Sequence, residues 1–290
     1  MTHYVPVLFV LLWSTGFVGA KYALPYIEPF HLLFIRMLIT LAVFLALVAA
    51  FRPRRPNGRQ VIHQMVVGSL VHGAYLGGVF VAIDRGMPAG IVALLVSLQP
   101  LLTALLVAVG GGTGLNRRQW SGLLLGFAGV SMVLLRDQSL AGLDVGWDAL
   151  LAAGVALMGI SIGTLYQKRH GAGVDLLAGS FFQYLATAML MGWLSWSFES
   201  GDTDWTPQLL LALAWLVLVL SVGAILLLMW MIREGEAARV ATYFYLVPPV
   251  TALQTWLLFD ETLGAIAIAG VVVTVCGVYL VMRQPKPGFS

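Results

Sequence analysis

The residues that offer the most chemistry in this 290-residue chain lie inside long apolar stretches. His72 and Tyr75 are three positions apart, so in an α-helix they would share one face. An imidazole and a phenol can each donate and accept hydrogen bonds, which suits the recognition of a small polar solute. A lone histidine in an apolar helix is also commonly a packing residue, and this interpretation stays open.

The other candidates are neutral polar and aromatic side chains. They suit a zwitterion or an aromatic solute better than a metal ion, whereas aromatic stripes also serve as packing or as membrane-interface belts. We predict no catalytic residue, no metal site and no cofactor. The predicted substrate-binding residues are Trp13, Ser14, Phe17, His72, Tyr75, Ser97, Gln99, Ser161, Thr164, Tyr243 and Tyr245.

Arg36 is the only lysine or arginine well inside an apolar stretch. Placing a charge in the bilayer centre costs roughly 2.5–3.5 kcal/mol even on the lenient insertion scale, so the residue needs a reason to be there. It could bind a substrate carboxylate. Alternatively, its side chain reaches the outer interface or pairs with Glu28, and both interpretations stay open.

All 13 acidic residues fall in loops or at the ends of apolar stretches. Cation-coupled carriers usually keep a carboxylate inside the membrane, so passive export or exchange is expected. Any pH dependence of transport would then depend on His72. The chain also lacks H-E-x-x-H, a phosphate-binding loop and a Cys–His pair, which argues against a membrane enzyme.

These residues are carried by ten apolar stretches of about 20 residues, the length that a helix needs to cross a bilayer. The composition agrees, since 60% of residues are hydrophobic, 10% are charged and the mean hydropathy is +0.91. We therefore predict an all-α integral membrane protein with one membrane domain, 1–290. The predicted spans are 5–23, 30–50, 62–83, 88–109, 117–136, 147–168, 176–198, 208–232, 238–259 and 264–282.

The basic residues are distributed unevenly between the two predicted faces. Twelve of the 16 lysines and arginines fall in the tail or in loops on the side of the N-terminus. This bias predicts that both termini are cytoplasmic, in a bacterial inner membrane. It also explains the pI near 9.1 without a nucleic-acid partner, so the predicted partners are lipid and a small solute.

The second half of the chain resembles the first. A shift of 149 residues aligns Pro100 with Pro249, and a shift of 147 aligns Arg36 with Gln183. Each half holds five spans, so equivalent spans would cross in opposite directions, as in the inverted repeats of alternating-access carriers. The predicted repeats are 1–142 and 143–290.

Prolines and glycines mark special points along the spans. Pro100 and the pair Pro248–Pro249 fall near the centres of spans four and nine, where they should break the helices and expose backbone oxygens to a binding site. They could instead only shape the bundle. Glycines at 122, 126 and 129 in span five, and at 270 and 277 in span ten, would let helices approach closely. We favour packing within the chain over a homodimer for these glycines.

Several segments resemble EamA-type carriers of the drug/metabolite transporter superfamily. Ala241–Val281 is similar to the family's second repeat, and Gly90–Gly112 followed by Trp120–Leu135 to its first. Leu11–Leu24 and Phe30–Thr40 resemble its opening spans. The resemblance covers essentially the whole chain and implies ten helices around a central substrate path.

The resemblance also implies a function. Members export amino acids or other small metabolites, and the L-W-S-T sequence of span one resembles the branch that exports aromatic and other neutral amino acids. One departure is that Glu261, after span nine, has no acidic counterpart after span four. Export of other metabolites or drugs is the alternative within the superfamily. A channel or receptor is a further alternative, although neither needs an inverted repeat.

Overall fold

The computed structural model describes residues 4–110, 116–136, 146–224, 227, 247–260 and 264–282. Within these ranges the secondary structure is helical apart from one isolated bridge between Ile27 and Thr203. The helices, labelled α1 to α10 in chain order, are Tyr4–Ala23, Pro29–Phe51, Gly58–Asp84, Ala89–Val109, Arg117–Arg136, Trp147–His170, Leu176–Phe198, Pro207–Ala224, Val247–Phe259 and Ala265–Met282.

Six of the described helices are long and apolar enough to cross a membrane, namely α2, α3, α4, α6, α7 and α8. The ranges Val7–Ala23 in α1 and Ile268–Leu280 in α10 are shorter apolar helices. The all-helical membrane architecture predicted from the sequence is thereby confirmed. The exact number of spans and the side on which the termini lie stay predictions.

Local sequence signals set where several helices begin. Asn57 and Gln60 form a capping box at the start of α3, each side chain bonding to the backbone N–H of the other residue. Asp175 accepts the N–H of Leu177 at the start of α7, and Thr206 accepts the N–H of Leu209 at the start of α8. These caps satisfy donors that the first helical turn cannot pair internally.

The helices pack in a pattern that relates the two halves of the chain. Helix α2 packs on α7 and α5 on α10, while α3 packs on α6 as α8 packs on α1. Helix α4 lies against α9, and both also contact the first helix of the opposite half, α6 and α1 respectively. These contacts between the halves therefore have equivalents five helices further along the chain.

Glycines bring α5 and α10 into close contact. A Cβ atom at Gly277 would lie 2.6 Å from the carbonyl oxygen of Gly122, a distance that real Cβ atoms do not adopt. A Cβ atom at Gly129 would likewise clash with Thr274 and with the carbonyl oxygen of Gly270. The glycine faces of these two helices are thus covered within the chain, as the sequence spacing favoured.

The loop between α1 and α2 is tied to the loop between α7 and α8. The Glu199 carboxylate accepts the N–H groups of Phe30 and His31, each at 2.7 Å, and so caps the start of α2 from a distant part of the chain. The N–H of Asp204 donates to the Tyr26 carbonyl oxygen at 2.9 Å. These contacts join the start of α2 to the end of α7. They lie on the face that the charge bias predicts to be outside the cell.

Candidate solute-binding site

Helices α3 and α8 each contain π-helical turns within the span. They lie at Ser69–Ala74 in α3 and at Trp215–Ala224 in α8, which are equivalent positions of the two halves. The Ser221 hydroxyl donates to the carbonyl oxygen of Leu216, five residues earlier. A π-helical turn is rare and occurs frequently at functional sites, so the side chains around both turns are candidates for solute binding.

Arg36 of α2 reaches the π-helical turn of α8. Its Nε and Nη2 atoms donate to the Ser221 hydroxyl oxygen at 3.3 and 3.2 Å, and only 6% of the residue is exposed. Glu28 instead accepts the hydroxyl of Ser200 and the N–H of Gly201. The guanidinium is therefore directed into the helix bundle rather than toward the loop carboxylate.

His72 occupies the equivalent position at the π-helical turn of α3. Its Nε2 atom lies 3.3 Å from Oε1 of Gln183 on α7, and Nε2 of Gln183 donates to Oε1 of Gln64 at 2.6 Å. The imidazole also stacks on the ring of Tyr184, with 4.7 Å between centroids and 20° between planes. One turn of α3 is thus joined to α7 by hydrogen bonds and by ring stacking.

The two sets of contacts are related by the repeat. Arg36 and Gln183 align at a shift of 147 residues, and His72 and Ser221 differ by 149 positions. In each half, the second helix therefore meets the π-helical turn of the opposite half through a polar pair. Together with nearby residues these pairs form the central polar cluster, which consists of Arg36, Gln64, His72, Tyr75, Gln183, Tyr184 and Ser221.

The electrostatics of the central polar cluster are one-sided. Arg36 is its one permanent charge, and His72, Tyr75 and Tyr184 all lie within its electrostatic range. Within the described ranges, no carboxylate makes a salt bridge to Arg36, and the ion pairs there join Arg85 to Asp84 and Asp148. The cluster therefore carries net positive charge surrounded by neutral hydrogen-bonding groups.

A second polar contact joins α4 to α6. The side-chain amide of Gln99 donates to the Thr164 hydroxyl at 3.2 Å. Nearby on α6, the buried Ser161 hydroxyl makes no hydrogen bond to any residue that the structure describes. Helix α4 is interrupted by a turn at Ser97 and Leu98, directly before Gln99 and Pro100. The Ser97 hydroxyl donates to the Leu94 carbonyl oxygen at 2.6 Å, inside its own helix.

A third group lies where α1 meets α9. Ser14 is fully buried and donates to the Val10 carbonyl oxygen at 2.7 Å, with the Val247 carbonyl oxygen at 3.5 Å. Phe17 is buried, and Trp13 is partly buried with its ring 5.3 Å from that of Phe9. Pro248 and Pro249 lie in the first turn of the described part of α9. Tyr243 and Tyr245 lie outside the described residues.

The structure thus groups the predicted residues in three places rather than one. His72 and Tyr75 lie in the central polar cluster, whereas the serine, threonine and glutamine candidates of spans four and six lie at the α4–α6 contact. The sequence prediction did not single out Gln64 and Ser221. The repeat could have indicated Ser221, because it lies 149 residues after His72. In the described part of the chain, no three His, Cys, Asp or Glu side chains form a metal-binding group.

The open depression between the tied loops lies away from the central polar cluster. It has a volume of about 560 Å³ and is formed by backbone and side chains of 24–28 and 202–204. A second depression, of about 470 Å³, lies between α3 and α7 and is lined mostly by apolar side chains such as Ile62 and Met189. The central polar cluster is therefore the candidate site because of its polar side chains, and not because of the volume of a depression.

Comparison with known proteins identifies the family. The model of the EamA-like transporter family matches the chain twice, over residues 4–135 and 147–283. A solved crystal structure has the same fold with a TM-score of 0.64 at 22% sequence identity, covering 96% of this chain and 95% of the other.

Similar proteins extend over nearly the whole chain. The uncharacterized transporter YvbV of Bacillus subtilis is 28% identical, covering 96% of this chain and 90% of its own length. A probable amino-acid metabolite efflux pump of Salmonella typhimurium is also 28% identical, at 96% and 93% coverage. The uncharacterized inner membrane transporter YedA of Escherichia coli is 27% identical, at 95% and 90% coverage.

Proposed function

The chain belongs to the EamA-like transporter family, and from this premise we propose that it exports small organic solutes by alternating access. It is a multi-pass protein of the cell membrane. In the proposed mechanism the two halves move against each other and expose the central polar cluster to either side of the membrane in turn. Ten spans in two inverted repeats, with both termini in the cytoplasm, are part of this proposal.

The observation that carries the proposal is the repetition of one polar contact in both halves. Arg36 meets Ser221 at the π-helical turn of α8, and Gln183 meets His72 at the equivalent turn of α3. A carrier whose halves exchange roles needs related contacts that can break and form on opposite sides of one site. The double match of the family model, once in each half, supports the same view.

We propose amino acids, in particular aromatic and other neutral ones, as the substrates. The polar side chains of the three groups are mostly neutral, and Tyr75, Tyr184, Trp13 and Phe17 supply aromatic surface. A relative named as a probable amino-acid metabolite efflux pump agrees with this substrate class. The alternative is export of other metabolites or drugs.

The candidate residues of the α4–α6 and α1–α9 groups belong to this proposal as parts of the solute path. The buried Ser161 hydroxyl and the Gln99–Thr164 contact lie beside the interruption of α4. Tyr243 and Tyr245, which precede Pro248, are proposed to continue the path from the second half. A homodimer would have to use a surface other than the covered glycine faces of α5 and α10.

Counterflow in proteoliposomes tests the proposal. Vesicles loaded with one unlabelled amino acid are diluted into a trace of the same labelled amino acid, and a panel of neutral, acidic and basic amino acids is compared. A carrier predicts transient, saturable accumulation of label for the neutral and aromatic members. Flux that is linear in concentration and insensitive to the internal solute would indicate a channel and contradict the proposal.

A further inference from the structure

Arg36 is a buried cation without a matching anion in the described part of the chain. The residue is 94% buried, because its exposed fraction is 6%, and its hydrogen bonds go to one neutral hydroxyl group. A serine hydroxyl can accept a hydrogen bond, but it cannot compensate a full positive charge in an apolar surrounding. An uncompensated charge of this kind is costly, so a partner that arrives during the working cycle would offset the cost.

The chemistry of arginine specifies which partner fits. A guanidinium presents five N–H donors in a planar fork that matches the two oxygens of a carboxylate. Among the described residues, only Nε and Nη2 of Arg36 make hydrogen bonds, and both go to the same oxygen of Ser221. Two donors sharing one neutral acceptor leave room for a stronger bidentate acceptor to replace it.

The surroundings of Arg36 also favour an incoming anion. His72, Tyr75 and Tyr184 lie within its electrostatic range, and all three can donate a hydrogen bond. The equivalent position in the second half holds Gln183, whose amide is already bonded to Gln64 and lies near His72. Of these two equivalent positions, only the one in the first half carries a charge. The cluster therefore has a single group that can bind an anion, Arg36, and a neutral amide, Gln183, at the equivalent position.

We propose that the Arg36 guanidinium binds the carboxylate group of the transported solute and that Ser221 holds the guanidinium in the empty carrier. This inference rests on the proposed function and deepens it, because it requires substrates that carry a carboxylate. Solutes without an anionic group, such as amines, would leave the buried charge unpaired. The carrier therefore selects amino acids and other organic acids over the corresponding amines.

Three matched probes test the inference by calorimetric binding to the purified full-length protein. L-phenylalanine carries both charged groups, 3-phenylpropanoate lacks the amine, and phenethylamine lacks the carboxylate. We expect binding of the first two and not of the third. In Arg36→Gln, affinity for L-phenylalanine should fall about 30-fold or more, as when a buried charge pair loses one partner. Equal affinity for phenethylamine and L-phenylalanine, or no binding of any probe, would overturn the inference.

Two controls separate this role from a structural one. Arg36→Lys keeps the charge but not the planar fork, so it should fold as wild type does and bind L-phenylalanine with intermediate affinity. Arg85→Gln removes an exposed arginine paired with Asp148, and should bind as wild type does. If Arg36→Gln and Arg36→Lys are both monodisperse and bind as wild type does, the receptor assignment is wrong.

A further variant addresses a protein carboxylate as the partner of Arg36. Glu234 and Glu236 lie outside the described residues, in a loop that the sequence places on the opposite face. Their joint replacement by glutamine should leave L-phenylalanine affinity unchanged, whereas tighter binding would show that they compete for Arg36 and would overturn the inference.

Counterflow distinguishes the two proposals. Carboxylate-dependent binding without counterflow would refute the carrier alone, and counterflow that is equal for amine and acid would refute the receptor alone.

Discussion

Two helix pairs of this bundle are built in opposite ways. Helices α5 and α10 meet along glycines, where the carbonyl group of Gly122 approaches Gly277 and no space remains for a side chain. Helices α3 and α7 meet along Gln64, His72 and Gln183, which are joined by hydrogen bonds. Close contact between small residues fixes two helices together, whereas polar side chains between helices can exchange partners with a solute.

The comparison assigns a different role to each pair. In the proposed carrier, we expect the α5–α10 pair to act as a joint between the two halves, with contacts that stay constant through the transport cycle. The contact of α3 with α7, and that of α2 with α8, contains the π-helical turns and the buried charge. Changes in the first pair should affect folding, and changes in the second should affect solute binding.

Gly277→Ala should have the largest effect, because the new Cβ would lie 2.6 Å from the Gly122 carbonyl oxygen and would force the helices apart. Overpacking of this kind costs about 1–3 kcal/mol or more. We expect a strong loss of monodisperse protein and a lower Tm. The matched control is Gly154→Ala on α6, where a Cβ meets nothing within 4 Å. Equal yield and Tm for both variants would show that the glycine joint does not hold the halves.

Gln183→Leu should have the next largest effect, since it removes the bond to Gln64 and the contact with His72. The buried Gln64 side chain would lose its partner, at about 1–3 kcal/mol. Counterflow should show a raised KM in the protein that folds. Met189→Leu on the exposed side of the same helix serves as the control and should change neither Tm nor KM. A normal KM in Gln183→Leu would exclude this contact from the solute path.

His72→Gln should have a smaller effect, because glutamine can still hydrogen-bond to Gln183. Losing part of one hydrogen bond, about 0.5–1.5 kcal/mol, predicts a KM raised about 2- to 10-fold with exchange retained. Counterflow of wild type and variant, measured between about pH 6 and 8, checks whether His72 carries any pH dependence of transport. Strong uphill accumulation driven by a pH gradient in His72→Gln would show that another group carries a proton.

The smallest expected effect concerns the tie between the loops. Burial raises the pKa of Glu199, the nearby Glu28 raises it further, and the N–H groups of Phe30 and His31 lower it in part. A raised carboxyl pKa means that the folded state favours the protonated form. The stability from this group is therefore complete below its ordinary pKa and is lost as the pH rises through the raised value.

Glu199→Gln removes this titration and keeps an oxygen that can accept one of the two N–H groups. The wild-type Tm should therefore fall more steeply than the variant Tm as the pH rises from about 4 to 7. Thermal melts of both proteins in the same detergent at several pH values measure the difference. Parallel Tm curves would show that Glu199 does not titrate differently in the folded state.

The sequence predicted the glycine joint better than the polar cluster, for a physical reason. Small residues at helical spacing predict where two helices can approach closely. The positions of Gly122, Gly129 and Gly277 therefore predicted the contact between α5 and α10. The π-helical turns depend on which backbone groups bond to one another, and hydropathy does not report this. Ser221 was missed because a single serine in an apolar span has no distinct pattern.

The choice of partner for Arg36 also depended on the structure. From the sequence, pairing with Glu28 and binding of a solute carboxylate were both open, because the two residues are close to the same end of α2. The structure directs the guanidinium to Ser221 and directs Glu28 to the Ser200–Gly201 loop. The helix fixes the position of the backbone at Arg36. The direction of its long side chain depends on the hydrogen-bond acceptors of the neighbouring helices.

Protection of single cysteines by solute tests the division of roles most directly. Cys276 is exposed on α10 and is the single cysteine of the chain, so wild type reports on the outer face of a helix of the α5–α10 pair. Ser221→Cys in a Cys276→Ser background reports on the central polar cluster with nearly the same side-chain volume. We predict that saturating L-phenylalanine slows alkylation at position 221 by a maleimide and leaves the rate at Cys276 unchanged. Slowing at Cys276 alone, or no solute-dependent change at position 221, would contradict the account.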